Sequence, residues 1–135
     1  MKRLLVILSA FTLASCAMMN INSHRMKAAQ RKMLDTRKLQ QDGQWDEALA
    51  MAERMHGSVS KSITSDPRQK SAAGPMVDLQ PLLVAWENGP YAELKSALQK
   101  KDAKRSGAAF ASLRQQCVNC HAVLGKTQVV VSEIP

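Results

Sequence analysis

The sequence predicts one compact all-α domain, and three observations favour it. The chain of 135 residues has room for a single small domain. Aromatic residues make up only 4% of it, which disfavours a β-rich core, and three cysteines are too few for a disulfide framework. Apolar residues recur at helical spacing along most of the chain, with little of the alternation that strands require.

The first two helices are predicted over residues 21–41 and 44–56, with Gly43 ending the first. In both, the apolar side chains fall on one face, at i, i+3, i+4 and i+7 spacing. These faces are formed by Met26, Ala29 and Met33 in the first helix and by Trp45, Ala48, Leu49, Ala52, Met55 and His56 in the second.

Residues 57–75 are rich in Ser, Lys and Gly and contain two prolines, so they are predicted to form a long loop. A short third helix then follows, with Asp78 as its N-cap and Pro81 in its first turn. Gly89 and Pro90 interrupt this third helix, which resumes over residues 91–100 with Tyr91, Leu94 and Leu98 on one face.

The last helix is predicted over residues 103–124, with Asp102 as its N-cap. Its apolar face carries Phe110, Leu113, Cys117, Cys120, His121 and Leu124. The remaining tail, residues 126–135, is short and apolar and is expected to lie against the surface of the domain.

The N-terminus predicts export. Residues 1–15 combine Lys2 and Arg3 with an apolar run too short for a permanent membrane span, as in a secretory signal peptide. The segment Leu13-Ala14-Ser15-Cys16 resembles the lipobox of bacterial lipoproteins, which implies that Cys16 is lipidated and that residues 16–22 form a lipidated tether. The alternative is an ordinary signal peptide that ends near a cysteine. Ala17 follows the lipidated position where aspartate would retain a lipoprotein in the inner membrane, so the resemblance implies the outer membrane.

The charge of the exported chain is basic. Loss of Lys2 and Arg3 would lower the formal net charge from +8 to +6. An exported chain with one tyrosine and two tryptophans offers no stacking platform for nucleic acid, so no nucleic-acid partner is expected. The charge instead suits a solvated surface that docks on acidic redox partner proteins or on anionic membrane.

The motif Cys117-Val118-Asn119-Cys120-His121 has the C-x-x-C-H pattern of c-type haem attachment. Two thiols three residues apart on a helix can reach the two vinyl groups of one porphyrin, while the adjacent imidazole is directed at the iron. Covalent attachment also retains a haem in a domain too small to enclose it. We therefore expect one covalent haem c on Cys117 and Cys120, with His121 as the proximal iron ligand.

Two other readings of the motif are weaker. A thioredoxin-like C-x-x-C would need a preceding strand and a helix that starts at its first cysteine, whereas this pair lies late in a helix. A zinc site would need a fourth ligand, and the chain has no second C-x-x-C and only two other histidines, His24 and His56. His56 is more simply explained as a rim histidine at the end of the second helix.

A C-x-x-C-H on the last of several amphipathic helices resembles class II c-type cytochromes, the cytochrome c′ family and its low-spin relatives. Asp102, the pair Phe110 and Leu113, and the run Trp86-Glu87-Asn88 also match. The resemblance implies a four-helix bundle over residues 23–125, with the haem on its C-terminal helix and an interrupted third helix. Residues 122–126 depart from the family's usual aromatic-arginine ending, which indicates an outlying branch.

The resemblance also bears on the sixth iron ligand, which in the low-spin relatives is a methionine of the first helix. The matching position is Met26. His24, half a turn away, and Met33, two turns further along, are alternatives, and the position can also be vacant or filled otherwise. Methionine on an apolar helix face is more often core packing than a ligand.

Three functions follow from these expectations. The first is electron transfer in the bacterial cell envelope, on the periplasmic side, by a lipid-anchored cytochrome in which His121 and Met26 hold a six-coordinate iron. The second is binding of NO or CO by a five-coordinate iron, as in high-spin cytochromes c′. The third is a haem peroxidase, for which His24 or Arg25 would have to act as distal acid-base group. The resemblance further implies a homodimer formed through the first two helices.

Overall fold

The computed structural model describes residues 21–135 in full and residues 2–20 only as backbone of the first helix. The elements, in order, are α1 (Lys2–Gln41), α2 (Trp45–Ser65), β1 (Arg68–Lys70), β2 (Met76–Asp78), α3 (Gln80–Trp86), a π-helical turn (Glu87–Tyr91), α4 (Ala92–Gln99) and α5 (Ala103–Val123). The chain is thus predominantly helical, as predicted. Cys16 and the predicted signal peptide, residues 1–15, lie outside the fully described residues. Among residues 21–135, no helix has the length and apolar character needed to cross a membrane.

The most extensive helix contact joins α1 and α2. A tight turn connects them, in which Gly43 has a φ of 76°, a left-handed conformation that favours glycine. Small residues let the helices approach closely, since Ala48 and Ala52 of α2 are fully buried. The interface also buries Ala29, Met33, Thr36 and Gln40 of α1.

The second helix is longer than predicted, and the predicted loop over residues 57–75 is wrong. α2 continues through Gly57 to Ser65, and a hairpin of β1 and β2 fills most of the remainder. Packing against α1 explains the extension: Ile63 is buried, Lys32 donates to Ser58 at 2.7 Å, and Arg25 donates to Ser65 at 3.1 Å. These contacts outweigh the roughly 1 kcal/mol that glycine costs inside a helix.

The interrupted third helix is observed. Gly89 has non-helical backbone angles (φ −105°, ψ −106°) beside Pro90, and the chain turns there between α3 and α4. Asp78 accepts a hydrogen bond from the Gln80 amide at 2.9 Å, although the capping position itself is Leu79, one residue later than predicted. The buried face of this region comprises Leu83, Trp86, Tyr91, Leu94 and Leu98.

The last helix, α5, begins as predicted, because Asp102 accepts a hydrogen bond from the Arg105 amide at 2.9 Å. Its first half packs on α4, and Phe110 and Leu113 are almost fully buried. The tail, residues 126–135, folds back as expected and buries Val131. The hairpin contacts the end of α5 through the Ala72 amide, which donates to the Val123 carbonyl at 2.9 Å.

Candidate functional site

The three motif residues lie together in the last two turns of α5. Cys120 and His121 lie three and four positions after Cys117, so the three side chains share one face of the helix. All three are half-buried, and the two thiols are free. The helical geometry assumed for the motif is therefore present.

This face of α5 borders two apolar cavities that share Val59, Trp86 and Cys117 as lining residues. The first cavity, of about 50 Å³, lies towards α1 and includes His121. The second, of about 110 Å³, lies towards α3 and includes Cys120. Cys117 thus stands between the two cavities, with its two partners on either side.

The first cavity brings α1 opposite the motif. Met26 and Met33, one and three turns into the fully described part of α1, line it together with His121. His24 is exposed and does not line it. Arg25 is likewise directed elsewhere, since its guanidinium bonds Asn22 and the Ser65 hydroxyl, both at 3.1 Å. Of the predicted distal residues, the structure therefore places only the two methionines near His121.

The imidazole of His121 has an unpaired nitrogen. Its Nδ1 is buried and makes no hydrogen bond, and leaving a buried polar group unpaired costs about 1–3 kcal/mol. Burial, aided by the nearby Lys126 ammonium, lowers the pKa of His121. The ring is thus held neutral, which is the state in which imidazole binds a metal ion.

Both thiols are held protonated at neutral pH. Burial, and secondarily the neighbouring Cys120, raise the pKa of Cys117 to about 11. Burial also raises the pKa of Cys120, against a smaller opposing effect of Lys126. The thiols therefore lack the lowered pKa of reactive redox cysteines, which disfavours a thioredoxin-like role.

Other residues of the site were missed by the sequence. Trp86 lines both cavities, and so does Val59, which falls in the segment predicted as a loop. His56 is not a rim histidine at a helix end, because α2 continues past it for nine more residues. Its ring stacks on Tyr91, with centroids 4.7 Å apart, and its Nε2 lies 2.7 Å from a carboxylate oxygen of Glu87. The sequence placed His56 and Tyr91 on apolar helix faces and singled out the run Trp86-Glu87-Asn88, but no signal in it brought these residues together.

The donor set suits a haem, whereas the space between the helices is too small for one. Pockets for ligands of drug size typically measure ~300–1,000 Å³, well above the two cavities at about 50 and 110 Å³. A porphyrin bound to these residues would require α3 to move away from α5. α3 exposes Leu82, which is 37% exposed, but it also buries Leu83 and Trp86 in the core.

A metal site of another kind is not favoured. Among residues 21–135, no group of three His, Cys, Asp or Glu side chains is arranged to hold a metal ion. A haem iron needs fewer protein ligands, because the porphyrin supplies four nitrogens.

Comparison of the chain with models of known families, with curated proteins and with solved structures finds no match in any of the three.

Proposed function

We propose that the protein is a membrane-anchored monohaem c-type cytochrome that transfers electrons in the bacterial cell envelope. One observation carries the proposal: Cys117, Cys120 and the unpaired His121 imidazole share a helix face that borders apolar cavities. The proposal includes a four-helix bundle of α1, α2, the interrupted pair α3 and α4, and α5, with the haem between α5 and its neighbours.

Cys117 and Cys120 would hold the haem. Each thiol would be joined to one vinyl group by net addition of its S–H, which needs no oxidant. The attached haem supplies a one-electron Fe(III)/Fe(II) couple. His121 would be the proximal iron ligand, because it directly follows Cys120 in the motif and its imidazole would face the haem that the two cysteines hold.

Met26 is our candidate for the sixth ligand. Its side chain lines the cavity that His121 also lines, and it is half-buried there beside Met33. If the iron kept both ligands in both oxidation states, the structure around it would change little during electron transfer. The lining of this cavity is almost entirely apolar, which excludes water and so helps set the reduction potential.

The location in the envelope rests on the N-terminal sequence. A signal peptide of residues 1–15 and a lipidated Cys16 would place the domain on the periplasmic side, anchored in the outer membrane. Several acyl chains at roughly 0.8 kcal/mol per buried methylene make such attachment nearly permanent. Replacing Cys16 by Ser should move the protein to the soluble fraction, and a fully membrane-bound variant would contradict the anchor.

The proposed partners are redox proteins with acidic surfaces, which would dock on the basic surface of this chain.

A homodimer formed through α1 and α2 stays a prediction. Within residues 21–135, the exposed large apolar side chains lie mostly elsewhere: Leu82 and Val84 on α3, Val123 at the end of α5, and Val129 and Val130 in the tail. The region around α3 and the end of α5 is therefore a better place to test for a protein contact.

The deciding experiment is expression of the full chain with a bacterial haem-attachment system. We expect haem that stays with the polypeptide on a denaturing gel and a pyridine haemochrome spectrum with both vinyl groups saturated. The oxidised protein should then show the weak band at the red end of the visible spectrum that marks methionine bound to ferric haem. A chain that acquires no covalent haem would overturn the proposal.

The alternative function is binding of small gaseous ligands such as NO or CO by a five-coordinate iron. It would apply if Met26, which is half-buried in an apolar cavity lining, packs in the core and does not bind the iron. This alternative predicts a high-spin spectrum without the methionine band and rapid CO binding by the reduced protein. A peroxidase has less support, since neither His24 nor Arg25 lines the cavity.

A further inference from the structure

The hairpin of β1 and β2 has one face towards the domain and one towards solvent. On the inner face, Val77 packs against the core, and Gln69 accepts a hydrogen bond from the Lys126 ammonium at 3.0 Å. Alternation along the two paired strands leaves four exposed residues on the outer face: Arg68, Lys70, Met76 and Asp78. The outer face therefore combines two cations with a methionine that pairs with Lys70 and is 57% exposed.

The hairpin lies at one end of the bundle with parts of three helices. Arg25 of α1 donates to the Ser65 hydroxyl at the end of α2 at 3.1 Å, and β1 follows three residues later. The Ala72 amide of the hairpin donates to the Val123 carbonyl at the end of α5 at 2.9 Å. Residues 21–27, 61–78 and 119–127 thus meet, and we call this region the hairpin end.

The hairpin end is basic, whereas the opposite end of the bundle is balanced in charge. The hairpin end has six Lys and Arg side chains and two carboxylates: Arg25, Lys27, Lys61, Arg68, Lys70 and Lys126 against Asp66 and Asp78. The opposite end, residues 38–47 and 99–104, has four of each: Lys38, Lys100, Lys101 and Lys104 against Asp42, Asp46, Glu47 and Asp102. Most of the net positive charge of residues 21–135 is therefore at the hairpin end.

Exposed apolar side chains accompany these cations. Ile21, Met76 and Val123 are 48%, 57% and 42% exposed, and all three belong to the hairpin end. No exposed large apolar side chain lies in residues 38–47 or 99–104. Cations interspersed with exposed apolar side chains are typical of protein surfaces that lie on a bilayer, where the apolar groups enter between the headgroups.

The proposed lipid anchor approaches the domain from the same end. Cys16 precedes Ile21 by five residues, which span at most about 18 Å even when fully extended. The far end of α1, at Gln41, lies about 30 Å further along the helix. An anchored domain would therefore bring its hairpin end, and not the balanced end, close to the membrane.

We propose that the hairpin end is a membrane-docking surface that binds the phosphate headgroups of anionic phospholipids. The cations attract the headgroups, and Met76 of the outer hairpin face enters the interface beside Lys70. An acidic protein would match the cations alone, whereas a bilayer also accommodates the exposed apolar side chains. This inference goes beyond the proposed function and takes from it only the anchor at Cys16, so it does not depend on haem.

The first test is protection from trypsin, which needs no variant. The wild-type chain is anchored on vesicles of phosphatidylcholine alone and on vesicles that also contain phosphatidylglycerol, and mass spectrometry follows cleavage after Lys70 and after Lys100. We expect anionic vesicles to slow cleavage after Lys70 several-fold relative to cleavage after Lys100, because the lipid covers the hairpin. The same ratio of the two rates on both kinds of vesicle would overturn the proposal.

The second test measures vesicle affinity in the Cys16→Ser chain, in which no acyl chain contributes. Arg68→Gln combined with Lys70→Gln should raise the Kd for anionic vesicles about twentyfold, at about fivefold for each cation near the surface. Lys100→Gln combined with Lys104→Gln is the matched control, because it removes the same charge from the balanced end. Equal loss of affinity in the two double variants would overturn a defined docking surface.

The contribution of the methionine is separable from that of charge. Met76→Ser leaves the net charge unchanged and should weaken binding to anionic vesicles about threefold, because less apolar surface enters the bilayer. Flotation of the Cys16→Ser chain with vesicles measures this effect. Unchanged flotation would overturn the insertion of Met76.

Further outcomes separate this proposal from others. Binding of poly-glutamate by the Cys16→Ser chain, without binding of anionic vesicles, would assign the hairpin end to an acidic protein and overturn a lipid partner. Absence of covalent haem would overturn the proposed cytochrome and leave the vesicle measurements as they stand. Haem-loaded protein that does not bind anionic vesicles would overturn only the docking surface.

Discussion

The two ends of α5 contrast in packing. At its start, Ser106, Ala109 and Phe110 are at most 5% exposed, and Ala109 and Phe110 belong to the same buried apolar cluster as Leu94 and Leu98 of α4. At its end, Cys117 and Cys120 are only half-buried and border two cavities. One helix therefore has a closely packed half that belongs to the core and a less closely packed half that carries the two thiols and the imidazole of the motif.

The contrast teaches that stability and chemistry are separated along a single element. A closely packed interior has no room for a cofactor, because cores are filled to the density of organic crystals. Less close packing at the end of α5 leaves two cavities and an unpaired nitrogen of His121. The predictions below test this division.

The largest effect is expected at the motif itself. On the proposed function, Cys117→Ala and Cys120→Ala should each leave little stable haem-loaded protein, because each variant would keep only one thiol to hold the haem. Haem staining of denatured protein measures this directly. Val118→Ala, between the two cysteines, is the control and should retain full staining; haem retained by both cysteine variants would contradict the attachment site.

A leucine-to-alanine substitution should lower the free energy of unfolding several-fold more in the closely packed core than beside a cavity. Leu98→Ala, at a side chain 1% exposed, should lower the free energy of unfolding by about 2–5 kcal/mol because it leaves a cavity in a closed core. Leu82→Ala, at a side chain 37% exposed beside the second cavity, should cost less than about 1 kcal/mol. Urea denaturation of the haem-free chain gives both values, and equal costs would refute the division.

Substitutions of the two methionines that line the first cavity should differ in the visible spectrum of the oxidised protein and not in the free energy of unfolding. Met26→Leu should remove the methionine band of the oxidised protein, whereas Met33→Leu should retain it. Each substitution nearly conserves volume, so the free energy of unfolding should change by less than about 1.5 kcal/mol. A band that survives Met26→Leu and disappears in Met33→Leu would reassign the ligand.

The smallest effect concerns the extension of α2, which supplies Val59 to both cavities. Gly57→Ala should raise the free energy of unfolding by about 0.5–1 kcal/mol, because a Cβ at this helical position would meet no atom within 4 Å. Gly43→Ala is the contrasting control and should destabilise, since φ there is 76°. Thermal unfolding distinguishes the two, and destabilisation by Gly57→Ala would place the end of α2 before residue 57.

Several features were predictable because their causes are local. The cap at Asp102, the break at Gly89 and Pro90, and the turn at Gly43 each follow from the backbone preferences of one or two residues. The end of α2 was not predictable in this way. Residues 57–65 are mostly polar and contain a glycine, and they become helical because α1 binds Ser58 and Ser65 and because Ile63 joins the buried core.

The candidate site likewise has features that the sequence could predict and features that it could not. The motif and its helical face could be predicted, because three residues within one and a half turns share a face wherever the helix lies. The lining by Val59, Trp86 and Val131 could not, since they come from segments far apart in the chain. His56 illustrates the limit: a polar residue on an apolar face gave no hint of its stack with Tyr91 or its bond to Glu87.

The sequence by itself determined that the chain is helical and that two thiols and an imidazole share one helical face, because helix periodicity and the C-x-x-C-H spacing are local properties. Only the tertiary structure decided which residues stand opposite that face. Met26 and Met33 line the same cavity as His121, and His24 does not, because α1 packs on α2 with one face only. Val131 lines the cavity because Arg114 and Gln30, distant in sequence, both bind this part of the tail: Arg114 donates to the Val131 and Ser132 carbonyls, and Gln30 donates to the Ser132 hydroxyl.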